Sequence, residues 1–184
     1  MRVWFARFAD DPSGRMPQAE KRRVRAEVRA WVRASLVRAC GGRPVTVWRD
    51  GRGKPFASCD GRPVFVSWSH SDGTAVLAAS WDAPVGVDVE RVRDRRNLPE
   101  LAASCLTPVE LAHWRRDPTA HRFTRLWVRK EALLKARGEG FPALLDQVCT
   151  LRGPVRDLAA PPGYHAAVAT DRDHPPYDEG LTRA

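Results

Sequence analysis

Two carboxylates, Asp88 and Glu90, stand two residues apart in the run Val85-Gly86-Val87-Asp88-Val89-Glu90. The alternating valines read as a strand, where residues i and i+2 project from one face. Both acids therefore crowd one side, while Val85, Val87 and Val89 bury the other. Crowded carboxylates call for compensation, and a hard divalent cation supplies it. Ligation by a few protein oxygens, with water and phosphate completing the shell, is the habit of magnesium. The same residues also read as a strand end with two solvated acids paired to Arg91 or Arg93.

A second constellation is Trp127-Val-Arg-Lys130-Glu131-Ala-Leu-Leu-Lys135. On a helix, Trp127, Glu131 and Lys135 fall at i, i+4 and i+8 and share a face. The plain reading is an exposed Glu–Lys pair worth roughly 0.3–0.5 kcal/mol. Against it, a tryptophan lies on the same stripe, and the segment holds two of the chain's four lysines, the others being Lys21 and Lys54. An acid, a lysine and an aromatic on one face suit a reaction site. A third cluster, Ser67-Trp68-Ser69-His70-Ser71, offers hydroxyls and an imidazole that can donate to phosphate oxygens or meet an adenine ring. It reads equally as a serine-rich turn before Asp72-Gly73. Upstream, Gly51-Arg52-Gly53-Lys54-Pro55 lacks P-loop spacing, so nucleoside triphosphate binding by that route has no support.

These residues need elements to carry them. Arg2 to Phe8 alternates as a strand, and residues 10–18 form a loop rich in Pro, Gly and Asp. Val24, Val28, Trp31, Val32 and Leu36 recur near a 3.6 period, predicting a helix over 20–39 that stops at Gly41-Gly42. Its opposite side carries Arg22, Arg25, Arg29 and Arg33. Short strands are predicted at 45–49, 64–68, 75–80 and 85–90. One or two short helices follow over 98–114, started by Thr107-Pro108. A second long helix spans 120–136, closed by Gly138 and Gly140. Final strands are predicted at 147–152 and 164–170, before a polar tail from Asp171. The order strand, loop, long helix, short strands occurs from residue 2 and again from residue 85. It predicts an α+β fold of two similar halves in tandem, related by a pseudo-twofold. Each half is a small antiparallel sheet packed by a long helix. The halves are residues 1–84 and 85–184, with the site between them.

The chain has 184 residues, 43% of them hydrophobic, enough for one large domain or two small ones. A net charge of +9 favours anionic partners: nucleic acid, phosphorylated small molecules or acidic proteins. The four cysteines form no CxxC pair and no zinc-ligand spacing. No apolar stretch approaches the ~20 residues that span a bilayer, and Met1–Phe8 has no signal-peptide character. The expectation is a reduced, cytoplasmic protein without membrane contact.

Together the motifs resemble the 4'-phosphopantetheinyl transferase family, in its larger, pseudo-dimeric form that activates peptide and polyketide synthases. Gly53-Lys54-Pro55-Phe56 resembles the family's GKP segment, and Ser67–Ser71 its Ser-His-Ser motif. Val85–Glu90 resembles the metal-binding motif, and FTRLWVRKEALLKARGEG (123–140) the Trp-x-x-Lys-Glu-x-x-x-Lys signature. Pro162-Gly163-Tyr164 resembles a late strand entrance. Two departures are Ser67, where asparagine is usual, and Trp68, in place of a smaller residue. The resemblance implies transfer of 4'-phosphopantetheine from coenzyme A to a serine of an acyl or peptidyl carrier protein. It implies that Asp88, Glu90 and Glu131 bind Mg2+, and that Glu131 acts as or orients the general base. It implies that Lys135 neutralises the phosphate with Lys130 assisting, and that Lys54, Ser69 and His70 hold coenzyme A. Arg29 falls where the family places a phosphate-binding arginine, judged from Leu36-Val37-Arg38. A monomer without nucleic-acid binding is expected. The alternative is a nucleic-acid-binding module using the arginine-rich helix 20–39, which accounts for the charge but not for Asp88/Glu90 or Lys130-Glu131-Lys135.

Overall fold

Val24, Val28, Val32 and Leu36 lie one helical turn apart, so they line a single face of α1 (Gln18–Ala39). That face lies on a five-stranded antiparallel sheet ordered β1-β5-β4-β3-β2. Its strands are β1 (Arg2–Arg7), β2 (Val45–Arg49), β3 (Pro55–Cys59), β4 (Arg62–Ser71) and β5 (Thr74–Ser80). Val64 and Val66 of β4, with Ala75, Leu77 and Ala79 of β5, complete this core. The computed structural model describes residues 1–8, 16–51, 53–139 and 145–172. Most of the loop expected at 10–18, Gly140 and most of the tail after Asp171 lie outside the described residues.

β6 (Val85–Arg91) opens a three-stranded antiparallel sheet ordered β6-β8-β7, with β7 at Val155–Leu158 and β8 at Tyr164–Thr170. Between them come α2 (Leu98–Cys105), α3 (Pro108–Arg115) and α4 (Ala120–Arg137). α4 covers one face of the second sheet through Val128, Ala132, Leu133 and Ala136. The other face carries Val85, Val87, Val89, Ala166 and Val168, which share a core with Phe65, Val76 and Ala78 of the first sheet. The result is a mixed α+β protein with two antiparallel sheets and four α-helices among the described residues. No described helix is long and apolar enough to cross a membrane. All four cysteines are free.

The structure departs from the expected elements in three places. β3 is an additional strand, paired with β2 and β4, where Gly53-Lys54-Pro55 had suggested only a turn. β4 runs on to Ser71 and turns through Asp72 and Gly73, both at positive φ, as a tight two-residue hairpin needs. The strand predicted at 147–152 is absent, because that backbone is spoken for by side chains. The Thr150 amide and hydroxyl donate to Glu110 Oε1 at 2.7 and 2.9 Å. The Thr150 carbonyl accepts from Arg129.

Glu110 is the N3 residue of a capping box with Thr107 at the start of α3, and it is fully buried. Its Oε2 lies 2.5 Å from Lys130 Nζ, and Lys130 also donates to the carbonyls of Leu145 and Val148. Burial works to raise the Glu110 pKa, but hydrogen bonds from Lys130, Thr150 and Thr107 outweigh it and hold the carboxyl below the usual glutamate range. Such a group stabilises the fold above the ordinary carboxylate range, and that contribution is lost as pH falls through its lowered pKa. Lys130, expected from sequence to assist Lys135, is thus a fully buried strut between Glu110 and the carbonyls of Leu145 and Val148. Lys130→Met should cost about 3–5 kcal/mol, because it strands a buried carboxylate. Urea unfolding at neutral pH measures this.

Candidate functional site

Only glycine fits at position 86. A Cβ there would lie 1.9 Å from the Ala132 carbonyl oxygen and 2.3 Å from the Ala136 amide nitrogen. β6 and α4 thus meet backbone to backbone. The contact sets Glu131 and Lys135 of α4 beside Asp88 and Glu90 of β6. Lys135 Nζ sits 2.6 Å from Asp88 Oδ1. Asp88 is buried, and its second oxygen, Oδ2, is buried without a hydrogen-bond partner.

The first sheet reaches this cluster through alternate residues of β4. Ser69 donates to Asp88 Oδ1 at 2.6 Å, and Ser71 donates to Glu90 Oε2 at 2.7 Å. The free edge of β6 is satisfied by the same strand: Ser67 accepts from the Val87 amide at 3.1 Å, and Ser71 accepts from the Arg91 amide at 3.3 Å. Trp68 and His70 point to the opposite face, toward α1. Ser69 and His70, expected to act together on one ligand, therefore leave β4 on different sides.

Burial, followed by the charge of Asp88, pushes the Glu90 pKa up to about 7 against the Ser71 hydrogen bond and Lys135. Burial likewise raises Glu131; Lys135 pulls it down and Asp88 adds to the rise. For Lys135, burial favours the neutral form, yet Asp88, Glu131 and Glu90 outweigh it and raise the pKa. Three carboxylates thus surround one ammonium. Among the described residues no three metal-ligating side chains form a ready-made cage. The donor set nonetheless fits a hard cation: all ligands are oxygens, Asp88 Oδ2 lacks a partner, and the acids outnumber the lysine. Magnesium takes one or two carboxylates and completes its shell with water and phosphate.

One cavity reaches Glu131 and Lys135 of the cluster, and a second adjoins it. The inner one, about 250 Å³, is lined by Lys54, Ser67, Glu131, Lys135 and Glu139 among others. The outer one, about 450 Å³, is lined by Arg29, Arg33, Val47 and Trp48. They share Arg49 and Trp68, with the Arg49 guanidinium 4.8 Å from the Trp68 ring centre. Lys54 donates to the Ala136 carbonyl at 2.9 Å at the end of α4, so it also ties the residue before β3 to that helix. Burial lowers its pKa, with Asp50 and Asp171 opposing. Partial desolvation, then Arg25 and Lys135, lower that of His70. Of the residues expected from sequence, Lys54, Glu131 and Lys135 line the inner cavity and Arg29 the outer one, whereas Asp88, Glu90, Ser69 and His70 line neither. Lys130 lies apart. Arg49, Gly86 and the bridging roles of Ser67 and Ser71 were missed. A glycine inside an apolar strand and serines at i, i+2, i+4 were the available signals.

A family model described as the 4'-phosphopantetheinyl transferase superfamily matches residues 84–159, from the start of β6 through β7. The 4'-phosphopantetheinyl transferase AcpT of Salmonella typhimurium is 35% identical over 133 residues, which cover 68% of each chain. The chain belongs to the 4'-phosphopantetheinyl transferase superfamily. The 4'-phosphopantetheinyl transferase HetI of Nostoc is 33% identical over 122 residues, 61% of this chain and 50% of its own length. The superfamily match spans β6 and α4, and so includes Asp88, Glu90, Glu131 and Lys135.

In this transferase Gly86→Ala should cost about 3 kcal/mol or more, the upper end for overpacking, since both obstructing atoms are backbone. Denaturant unfolding gives the stability. A stable variant with unaltered β6–α4 spacing would contradict the close approach.

Proposed function

We propose that this chain transfers the 4'-phosphopantetheine group of coenzyme A to a serine of an acyl or peptidyl carrier protein, releasing adenosine 3',5'-bisphosphate. One observation carries the reading. In a chain of this superfamily, Asp88 and Glu90 gather around Lys135, which with Glu131 lines a cavity that adjoins a second one lined by arginines. Coenzyme A carries a pyrophosphate and a 3'-phosphate, and a basic groove ending in a carboxylate–lysine cluster matches that distribution of charge. The net charge of +9 also suits an acidic carrier protein.

Asp88 and Glu90, with Glu131, would hold Mg2+; Ser69 and Ser71 keep the first two in place. A bound magnesium ion would supply positive charge to the pyrophosphate oxygens. Lys135 is placed to share that neutralisation. Glu131 takes the proton of the acceptor serine, and its raised pKa brings it nearer the working range of a general base. The serine oxygen forms a bond to the phosphorus that bears pantetheine, and the bond from that phosphorus to the adenosine bisphosphate oxygen breaks. Arg29 holds a nucleotide phosphate in the outer cavity and Lys54 one in the inner cavity; His70, on the α1 side of β4, is assigned to coenzyme A through the motif resemblance. Ser69 serves through Asp88. We also take residues 1–84 and 85–184 as tandem, pseudo-twofold halves. Each sheet carries one long helix on its outer face, and the inner faces share one core.

Single-turnover transfer to a carrier protein tests the reaction. Glu131→Gln should lower the rate by ~10²–10⁴ while the melting curve stays put. A variant within threefold of the parent, roughly what loss of an exposed ion pair could cause, would return Glu131 to the helix surface. Arg29→Ala should weaken coenzyme A binding by about 1.5–3 kcal/mol, the worth of a charge-assisted contact, with little change in the single-turnover rate at saturation. Calorimetry with coenzyme A settles the second point; unchanged affinity would move the phosphate site elsewhere.

A further inference from the structure

His121, in the first turn of α4, and His165, at the start of β8, face one another on the second half. Their Nδ1 and Nε2 atoms are 3.3 Å apart, and the rings are nearly perpendicular. His121 is exposed and His165 half-buried, so an ion can reach both. Neither residue has a part in the transfer chemistry described above.

We propose that His121 and His165 form a second metal site, for a divalent transition ion such as Zn2+. Two nitrogens bound at about 2.0–2.1 Å to one tetrahedral ion lie roughly 3.3–3.4 Å apart, the separation already present between these rings. The ion takes the place of the shared hydrogen. The proton on the facing nitrogen moves to the other nitrogen of the same ring, so the pair stays neutral and both lone pairs become available. Imidazole nitrogens suit zinc, copper and nickel and hold magnesium poorly, whereas the oxygens of Asp88 and Glu90 suit magnesium. The two sites therefore discriminate by donor chemistry.

The charged surroundings permit the ion. Arg125, one turn further along α4, is engaged by Asp157 of β7 at 2.6 and 2.9 Å, which offsets its charge next to the histidines. Arg129 binds the other oxygen of Asp157 at 3.0 Å. On β6, Glu90 is the strand partner of His165. The two histidines are the protein ligands, and water completes the shell. An ion held there would pin the first turn of α4 to β8.

The test is calorimetric titration of the full chain with ZnCl2 at pH 7.5 in excess MgCl2, where an imidazole of ordinary pKa is neutral. Cys149 is exposed and is replaced by alanine in every sample to remove a competing thiol. The parent should show one saturable event and a zinc-dependent rise in melting temperature. His121→Ala and His165→Ala should each weaken binding by roughly tenfold or more, since even loss of an outer partner of a metal ligand costs that much. Both variants should keep the zinc-free melting temperature. No saturable binding by the parent, or parental affinity in either variant, would overturn the proposal.

Discussion

The backbone contact between Gly86 and α4 sets every other distance in the site. Because a strand and a helix touch without side chains between them, Glu131 and Lys135 come within reach of Asp88 and Glu90. Any larger residue at position 86 would lift the helix, and the charged side chains are too short to follow. The apolar core on the far side of β6 makes the constraint effective. Val85, Val87 and Val89 are buried against the first sheet, so the strand has nowhere to retreat.

Within that frame the electrostatics are deliberately unequal. Lys135 is one cation among three acids, and burial raises the pKa of both Glu90 and Glu131. A second ion pair, fully buried between Glu110 of α3 and Lys130 of α4, is built the other way. Both oxygens of Glu110 and the ammonium of Lys130 are hydrogen-bonded, so that pair is closed to further partners. The open cluster keeps an oxygen without a partner, and the closed cluster holds residues 145–150 in place. Adjacent lysine and glutamate, at 130 and 131, thus serve opposite ends.

Much of this was legible in sequence. The periodicity of α1 and α4, the alternation of β6 and the Asp-Gly turns follow from local rules. The meeting of Asp88, Glu90, Glu131 and Lys135 follows from no local rule; it was implied by the resemblance of the motifs to a known family. What could not be read was the direction of each side chain around α4. Lys130 is one residue from Glu131, and only the position of Glu110, twenty residues earlier, decides that it turns inward. The strand expected at 147–152 failed for the same reason, since its apolar content was real but its hydrogen bonds went to Glu110, Arg129 and Lys130. Ser69 looked like a free hydroxyl because the partner it donates to lies on another sheet.

The serine rungs of β4 have a consequence for how the molecule can be divided. Ser67 and Ser71 stand in for a neighbouring strand, capping amides on the free edge of β6 that would otherwise face solvent. A fragment beginning at β6 would present that bare edge together with the valines beneath it, a surface prone to pair with another copy of itself. The N-terminal sheet is thus an in-built chaperone for the strand that carries the acids. Splicing a foreign N-terminal sheet onto β6 would succeed only with donors whose fourth strand brings hydroxyls at the same three alternate places.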